Sequence, residues 1–309
     1  DVYKRQLGNQ VMCNIWRRRH PMAETTKVNG QQWLLSLPSV ALFLGLLVVP
    51  LTLTALLSFN AYDPTSGSPD GFTISNYIEI FTDSYYYELF LRTALMSLGV
   101  TVICVLLGVP ETIILSRMAP GWQGVFFVGI LGPLLISVVV RTLGWTIILG
   151  RGGLINNALV SMGITNTPIQ FMFNMTGVVI VLTHVMLPFM IISIWSTLQK
   201  LDPQVAHAAR SLGAGPITTF RRIILPQLLP GILSGAIIVF TLAASAFATP
   251  ALIGGNRVRV VTTSIYDEFL TSLNWPLGAA IAVLLLIGIV LVVIGSNRAI
   301  ERKFKQVFA

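Results

Sequence analysis

Side chains able to do chemistry are few in this 309-residue chain, and they are scattered. The three histidines, His20, His184 and His207, lie far apart, and the two cysteines, Cys13 and Cys104, sit in dissimilar surroundings. Neither set has metal-ligand or disulfide-framework spacing. No Gly-x-x-x-x-Gly-Lys-Ser/Thr loop could cradle a nucleotide phosphate, and no His-Glu-x-x-His or Gly-x-Ser-x-Gly motif could support hydrolysis. No catalytic residue, metal or cofactor is therefore expected. The informative polar residues are instead those set inside apolar stretches. Arg141 interrupts such a stretch, with Trp145 one turn further on. An ionisable residue in that setting is a functional hypothesis by default. The alternatives are snorkelling to the headgroups or pairing with Asp267 or Glu268, Glu111 being at a different depth. His184 and Pro188 are four apart; the proline frees a backbone carbonyl and can bend a helix where a pathway opens. A His184 packed against a neighbouring helix is the other reading. Phe247 and Thr249 precede Pro250, which repeats the device. These six residues, Arg141, Trp145, His184, Pro188, Phe247 and Thr249, are the candidates for lining a path through the molecule.

The elements that must position them are membrane spans. Hydrophobic residues make up 54% of the chain and charged residues only 10%, well below the quarter or so usual in soluble domains. A hydrocarbon core of about 30 Å takes about 20 apolar residues as helix. Six blocks qualify, near 33–57, 94–115, 125–149, 177–198, 231–253 and 277–295, which predicts an all-α polytopic membrane protein. Counted from the start of its block, Arg141 lies roughly 24 Å along the third span. Residues 1–6 match one reading frame of a transposase end used in sequencing libraries and are set aside as a scar. The first block is too long for a signal peptide and reads as a retained span.

Lysine and arginine orient the spans. Arg17, Arg18, Arg19 and Lys27 precede the first, Arg117 follows the second, Lys200, Arg210, Arg221 and Arg222 follow the fourth, and Arg298, Arg302, Lys303 and Lys305 follow the sixth. The opposite loops hold Arg92, Arg151, Arg257 and Arg259, with most of the acids. Both termini are therefore expected in the cytoplasm. Sorting by loop also accounts for the net charge of +8 without a nucleic-acid partner. The organisation expected is a cytoplasmic segment over 1–32, a six-span domain over 33–297 with a cytoplasmic loop at 199–230, and a basic tail over 298–309. In the outer loop before the second span, Ser75 is expected to cap a short interfacial helix with Ile78 and Phe81 on one face.

The loop at 199–230 carries the most specific pattern. Asp202 before Pro203 is a strong helix start, and Gly213 suits a helix end. Between them Val205, Ala208, Ala209 and Leu212 fall at helical spacing, giving a short amphipathic helix fit for a partner's groove. Gly215-Pro216 restarts the chain, and Phe220, Ile223 and Ile224 anchor a second helix before Pro226.

Ala208-Ala209-x-x-x-Gly213, then Ile223-x-Leu225-Pro226, resembles the cytoplasmic-loop signature of permease subunits of bacterial ABC importers. His207 stands where that family usually has glutamate. Further segments are similar to the spermidine/putrescine permeases: Val140 to Asn156, Leu187-Pro-Phe-Met, Phe247-Ala-Thr-Pro, Leu252-Ile-Gly-Gly, and Ile265 to Phe269 with Asn274 to Ala280. Members of that group often carry acids near the positions of Ala246 and Ala251, which this chain lacks. The resemblance implies a type I importer permease fold in the bacterial inner membrane and a path for a small solute, a polyamine first. Its implied partners are a cytoplasmic ABC ATPase dimer, a second and related permease, a periplasmic or lipid-anchored solute-binding protein, and membrane lipids. It further implies that Val205, His207, Ala208, Ala209, Leu212, Gly213, Ile223, Leu225 and Pro226 couple the permease to the ATPase. An ion-driven carrier is the rival; it would have no use for such a loop.

Overall fold

A computed structural model describes residues 30–62 and 69–308. Residues 1–6, read above as a scar, and most of the N-terminal segment, with its basic residues, lie outside the described residues. The chain divides into two compact units, Asp1–Leu53 and Thr54–Ala309. The first is described by helix α1, Gly30–Leu57, which runs on into the second unit. Its apolar side chains continue past Pro38 and Pro50, both inside the helix. Membrane helices tolerate interior prolines because local adjustments satisfy the freed carbonyls.

The second unit opens with a hairpin of β1, Asn60–Tyr62, and β2, Pro69–Phe72. Helix α2, Ser75–Thr82, follows. Ser75 is its first residue and not its cap; the Thr73 hydroxyl accepts the Ser75 N–H at 3.1 Å. Its buried face is Asn76 and Ile80, whereas Ile78 and Phe81, three apart, are exposed. Asn76 is held inward because Nδ2 donates to the carbonyls of Ser58 and Asn60.

Three long helices then form the core: α3, Ser84–Ser116; α7, Met175–Leu198; and α10, Leu225–Ala244. Met96, Val100 and Cys104 of α3, Val181, Met190 and Ile194 of α7, and Leu228 and Val239 of α10 close one buried cluster. Small residues allow the approach. A Cβ on Gly231 would lie 2.4 Å from Thr197 Oγ1, and one on Gly235 would lie 2.8 Å from Met190 Sδ. The pair stands four apart on α10, the small-xxx-small spacing of packed membrane helices. Polar residues of α3 that this packing buries are satisfied within the helix: Thr93, Ser97, Thr101 and Thr112 each donate to the carbonyl four residues back.

A smaller cluster joins Ile80, Tyr86 and Leu89 to α11, Val261–Leu270, and α12, Trp275–Phe308, through Val261, Leu277 and Ile281. Thr93 Oγ1 accepts the Val261 N–H at 3.0 Å. Among the described residues six helices are long and apolar enough to cross a membrane. Asp83 caps α3, whose first residue Ser84 lies ten residues before the expected start of the second span, its side chain accepting the Tyr85 N–H at 2.8 Å.

Two spans differ from the continuous blocks read in the sequence. The third is α5, Val138–Leu149, with α6, Leu154–Ser161, after the Gly150–Gly153 turn, and the first part of the expected block is a separate, shorter apolar segment, α4, Pro120–Leu131, with a 3-10 turn at Gly132–Leu135. Pro133 removes a donor, and Ile136 and Ser137 are extended. A depth for Arg141 counted along one unbroken helix therefore does not hold. The fifth span begins at Pro216 and ends at Ala244, nine residues short of the expected 253. Residues 245–249 and a π turn at Pro250–Gly254 follow it, because Pro250 cannot donate to the preceding turn.

Candidate functional site

The loop after the fourth span folds as its capping residues dictate. Helix α8, Pro203–Ser211, starts where the Asp202 carboxylate accepts the Gln204 N–H at 2.9 Å. It ends at Gly213, whose φ of +83° is the left-handed conformation that glycine adopts without strain. The four residues expected on one contact face are divided. Ala209 is buried at 7% exposure, while Leu212 is 89% exposed and Ala208 is exposed beside it. Val205 lines a cavity together with the ends of α3 and α7. Of the four only Ala209 is turned into the protein, and Val205, Ala208 and Leu212 are exposed. Of His207 only the backbone position on α8 is described.

Gly215 restarts the chain into α9, Pro216–Thr219, which passes through a π turn at Phe220–Ile224 into α10. Pro226 explains the wide turn: it lacks an N–H, and Leu225 donates to the Phe220 carbonyl one residue further back than in an α-helix. Ile224 and Leu225 pack against the main core, and Ile223 is half-buried. The motif thus ends in a helix that runs from Pro216 into the fifth span, joined to α8 by residues 212–215.

The expected path residues fall into three groups. Arg141, Trp145 and His184 come together. Trp145 Nε1 donates to His184 Nδ1 at 3.2 Å, with ring centroids 5.3 Å apart, and Arg141 stands one turn before Trp145 on α5. Arg141 Nε and Nη1 are buried without a hydrogen-bond partner among the described residues, and the guanidinium forms no ion pair with Asp267 or Glu268. Thr249 lies close by, 3.3 Å from Thr142 across the two broken spans, but at 1% exposure it is a packing residue. Pro188 is buried in the face of α7 that meets the core. Phe247 stands apart, stacked on Tyr266 at 4.7 Å. Both rings are partly exposed, and Tyr266, absent from the expected set, belongs to the Ile265–Phe269 segment that the resemblance singled out.

The end of the bundle opposite the 199–230 loop gathers acids and aromatic rings. Burial holds the Glu268 carboxyl above the usual range, a hydrogen bond with Ser272 opposes this, and the charges of Glu79 and Asp267 add to it. Arg259 is held charged chiefly by its hydrogen bond to Tyr85. A cavity of about 610 Å³ at the same end is lined by Arg151, Arg257, Gln170 and Asn256 among others.

Six helices long and apolar enough to cross a membrane among the described residues, three of them packed in one core and two of the spans broken, with a capped helix on the loop after the fourth, define a multi-pass membrane transport subunit. Residues 32–306 match the family of binding-protein-dependent transport system inner membrane components, and the chain belongs to that family. It is similar to the spermidine/putrescine transport system permease protein PotB of Haemophilus influenzae, at 32% identity over 83% of this chain and 90% of the relative. The Escherichia coli PotB is 34% identical over 74% of this chain and 83% of its own length. The molybdenum transport system permease protein ModB of Mycobacterium bovis is 33% identical over 63% of this chain and 72% of the relative. Among solved structures, a chain of a bacterial ABC transporter that imports alginate superposes with a TM-score of 0.71 at 17% identity, covering 89% of this chain and 96% of that one. The fold is that of type I ABC importer permeases, and the chain is a permease of an ABC importer.

Proposed function

We propose that this permease moves a polyamine inward by alternating access, driven by ATP hydrolysis on a separate ATPase dimer that receives Ala208 and Leu212 of α8. The short connection supports this reading: only residues 212–215 separate α8 from the helix that runs from Pro216 past Pro226 into the fifth span, so a push on α8 is passed to that span over a few residues. Residues 33–297 are the transport domain, 199–230 its cytoplasmic coupling loop, and 298–309 a basic tail, with both termini in the cytoplasm. A second, related permease completes the path. A solute-binding protein docks at the opposite end, where Arg151 and Arg257 offer contacts for its acidic residues. Val205, His207, Ala209, Gly213, Ile223, Leu225 and Pro226 belong to the same ATPase-coupling loop.

The polyamine assignment rests on the PotB relatives. The acids and rings opposite the loop support it, since ammonium groups are matched by carboxylates and aromatic faces. The test is ATP-dependent uptake of labelled spermidine and putrescine by the transporter co-purified from its native membrane and reconstituted in liposomes. ATP-dependent uptake of both supports the assignment. Binding-protein-dependent ATP hydrolysis without polyamine uptake leaves the importer and removes the solute.

One observation favours a second reading, a solute bearing an acidic group. The Arg141 guanidinium, with Nε and Nη1 unpartnered among the described residues, is suited to a carboxylate or oxyanion, not to an ammonium. Competition of uptake by amino acids and oxyanions in the same liposomes separates the two.

A further inference from the structure

At the loop end of the bundle lies a cavity of about 470 Å³ to which the transport cycle assigns no ligand. The last residues of α3 and α7, helix α8 and the start of α10 all contribute to its wall. Two guanidinium groups line it, Arg117 from the end of α3 and Arg210 from α8. Both side chains are exposed, and among the described residues neither lies within ion-pair distance of a carboxylate. The one acid in the lining, Asp202, has a carboxylate oxygen engaged in capping α8. The rest of the wall is largely apolar, with Leu198, Ile223 and the indole of Trp195. Lys200, Arg221 and Arg222 stand in the same loop, so the field at the cavity attracts anions.

Two unpaired arginines beside aliphatic and indole walls, level with the ends of three spans, have the chemistry to hold a phosphate carried on an apolar body. Arginine forks match phosphate oxygens bidentately, and basic pockets between membrane helices on the cytoplasmic side receive anionic headgroups. We propose that this cavity binds the phosphate of an anionic phospholipid such as phosphatidylglycerol, between Arg117 and Arg210. A free phosphate ion shares the arginine chemistry but gains nothing from Leu198, Ile223 and Trp195, whereas a glycerol backbone and acyl chains cover them. A lipid seated there links the end of the second span to α8. The binding itself does not depend on the solute or on the transport reading; only its effect on coupling does.

The test is phosphatidylglycerol retention by the full-length chain, read by native mass spectrometry after exchange into detergent with mixed phosphatidylglycerol and phosphatidylcholine. Arg117→Gln with Arg210→Gln is expected to reduce phosphatidylglycerol retention by roughly tenfold or more. Arg221→Gln with Arg222→Gln, which removes the same charge outside the lining, is expected to leave retention within about twofold of the parent. Arg117→Lys with Arg210→Lys keeps the charge and is expected to retain most of the lipid, which separates lost binding from lost folding. Equal loss in the two glutamine pairs would overturn the site in favour of general surface charge. Displacement of the lipid by millimolar inorganic phosphate would overturn the lipid as occupant and make the cavity a site for free phosphate.

Discussion

Trp145 Nε1 donates to His184 Nδ1 at 3.2 Å, which ties the broken third span to the unbroken fourth and fixes which imidazole nitrogen is the acceptor. Arg141 stands one turn before Trp145 with two guanidinium nitrogens buried and, among the described residues, unpartnered. Such a group costs stability where it sits, and an apolar residue of similar length relieves that cost. Arg141→Met is therefore expected to raise the thermal midpoint of the purified chain, or to leave it unchanged, while lowering uptake at least tenfold. A fluorescence-detected melting curve and a transport assay on one preparation check both halves. Parent-level transport by Arg141→Met would remove Arg141 from the path.

His184 gives a complementary expectation. Replacing it with alanine leaves the Trp145 N–H without its acceptor, a loss of about 1 kcal/mol. His184→Gln restores an acceptor and is expected to recover most of that loss. If alanine and glutamine melt alike, the Trp145 bond contributes nothing measurable.

Gly213 separates a structural stop from a merely small residue. Its φ of +83° costs an alanine roughly 1–2 kcal/mol, and proline, fixed near −65°, cannot adopt it. Gly213→Ala is expected to couple weakly and Gly213→Pro to hydrolyse ATP without uptake, at unchanged expression. Normal uptake by a well-expressed Gly213→Pro chain would count against coupling through this loop.

Six spans and a capped helix at 203–211 were legible in the sequence because both follow from local signals, apolar length in one case and Asp202-Pro203 with Gly213 in the other. The breaks in the third and fifth spans were not, since a run such as Leu134-Leu-Ile-Ser-Val-Val-Val keeps its hydropathy whether it is helical or extended. Pro133 and Pro250 were the available signals. Faces were read less well than elements. Helical spacing grouped Val205, Ala208, Ala209 and Leu212, but only tertiary packing decides that Ala209 turns inward and Leu212 outward. The pairing of Arg141, Trp145 and His184 joins residues 39 and more apart, which spacing cannot reveal.

Glu268 should make stability fall as pH rises. Burial, with the charges of Glu79 and Asp267, holds its folded-state pKa above the ordinary 4.5, against the opposing hydrogen bond from Ser272 and the charge of Arg259. Below 4.5 the carboxyl is protonated in both states and no penalty applies; above it the folded state keeps a proton that the unfolded state has lost. Stability from this group therefore declines from about 4.5 upward until the folded-state value is passed. Glu268→Gln is expected to flatten that part of the pH–melting profile and to be the more stable protein at pH 7. A parent and variant with parallel profiles would show that the group is not desolvated.

Gly231 and Gly235 supply the last expectation, since they let α10 lie against α7. A Cβ on Gly231 would meet the Thr197 side chain and the Ser193 carbonyl, and one on Gly235 would meet Met190 and Ser193. Ser193 Oγ also donates to the Gly231 carbonyl at 2.9 Å, so separating the helices costs a hydrogen bond as well as contacts. Gly231→Val is expected to destabilise by about 1–3 kcal/mol through overpacking, more than the same change at Gly121 or Gly129, where nothing lies within 4 Å of the new atom. Thr197→Ala, which clears the nearest side-chain obstacle, should recover part of the loss in a double variant. Thermal midpoints of the three single variants and the double variant decide it. Equal costs at Gly231 and Gly129 would mean that helix propensity, and not the approach of α10 to α7, sets the penalty.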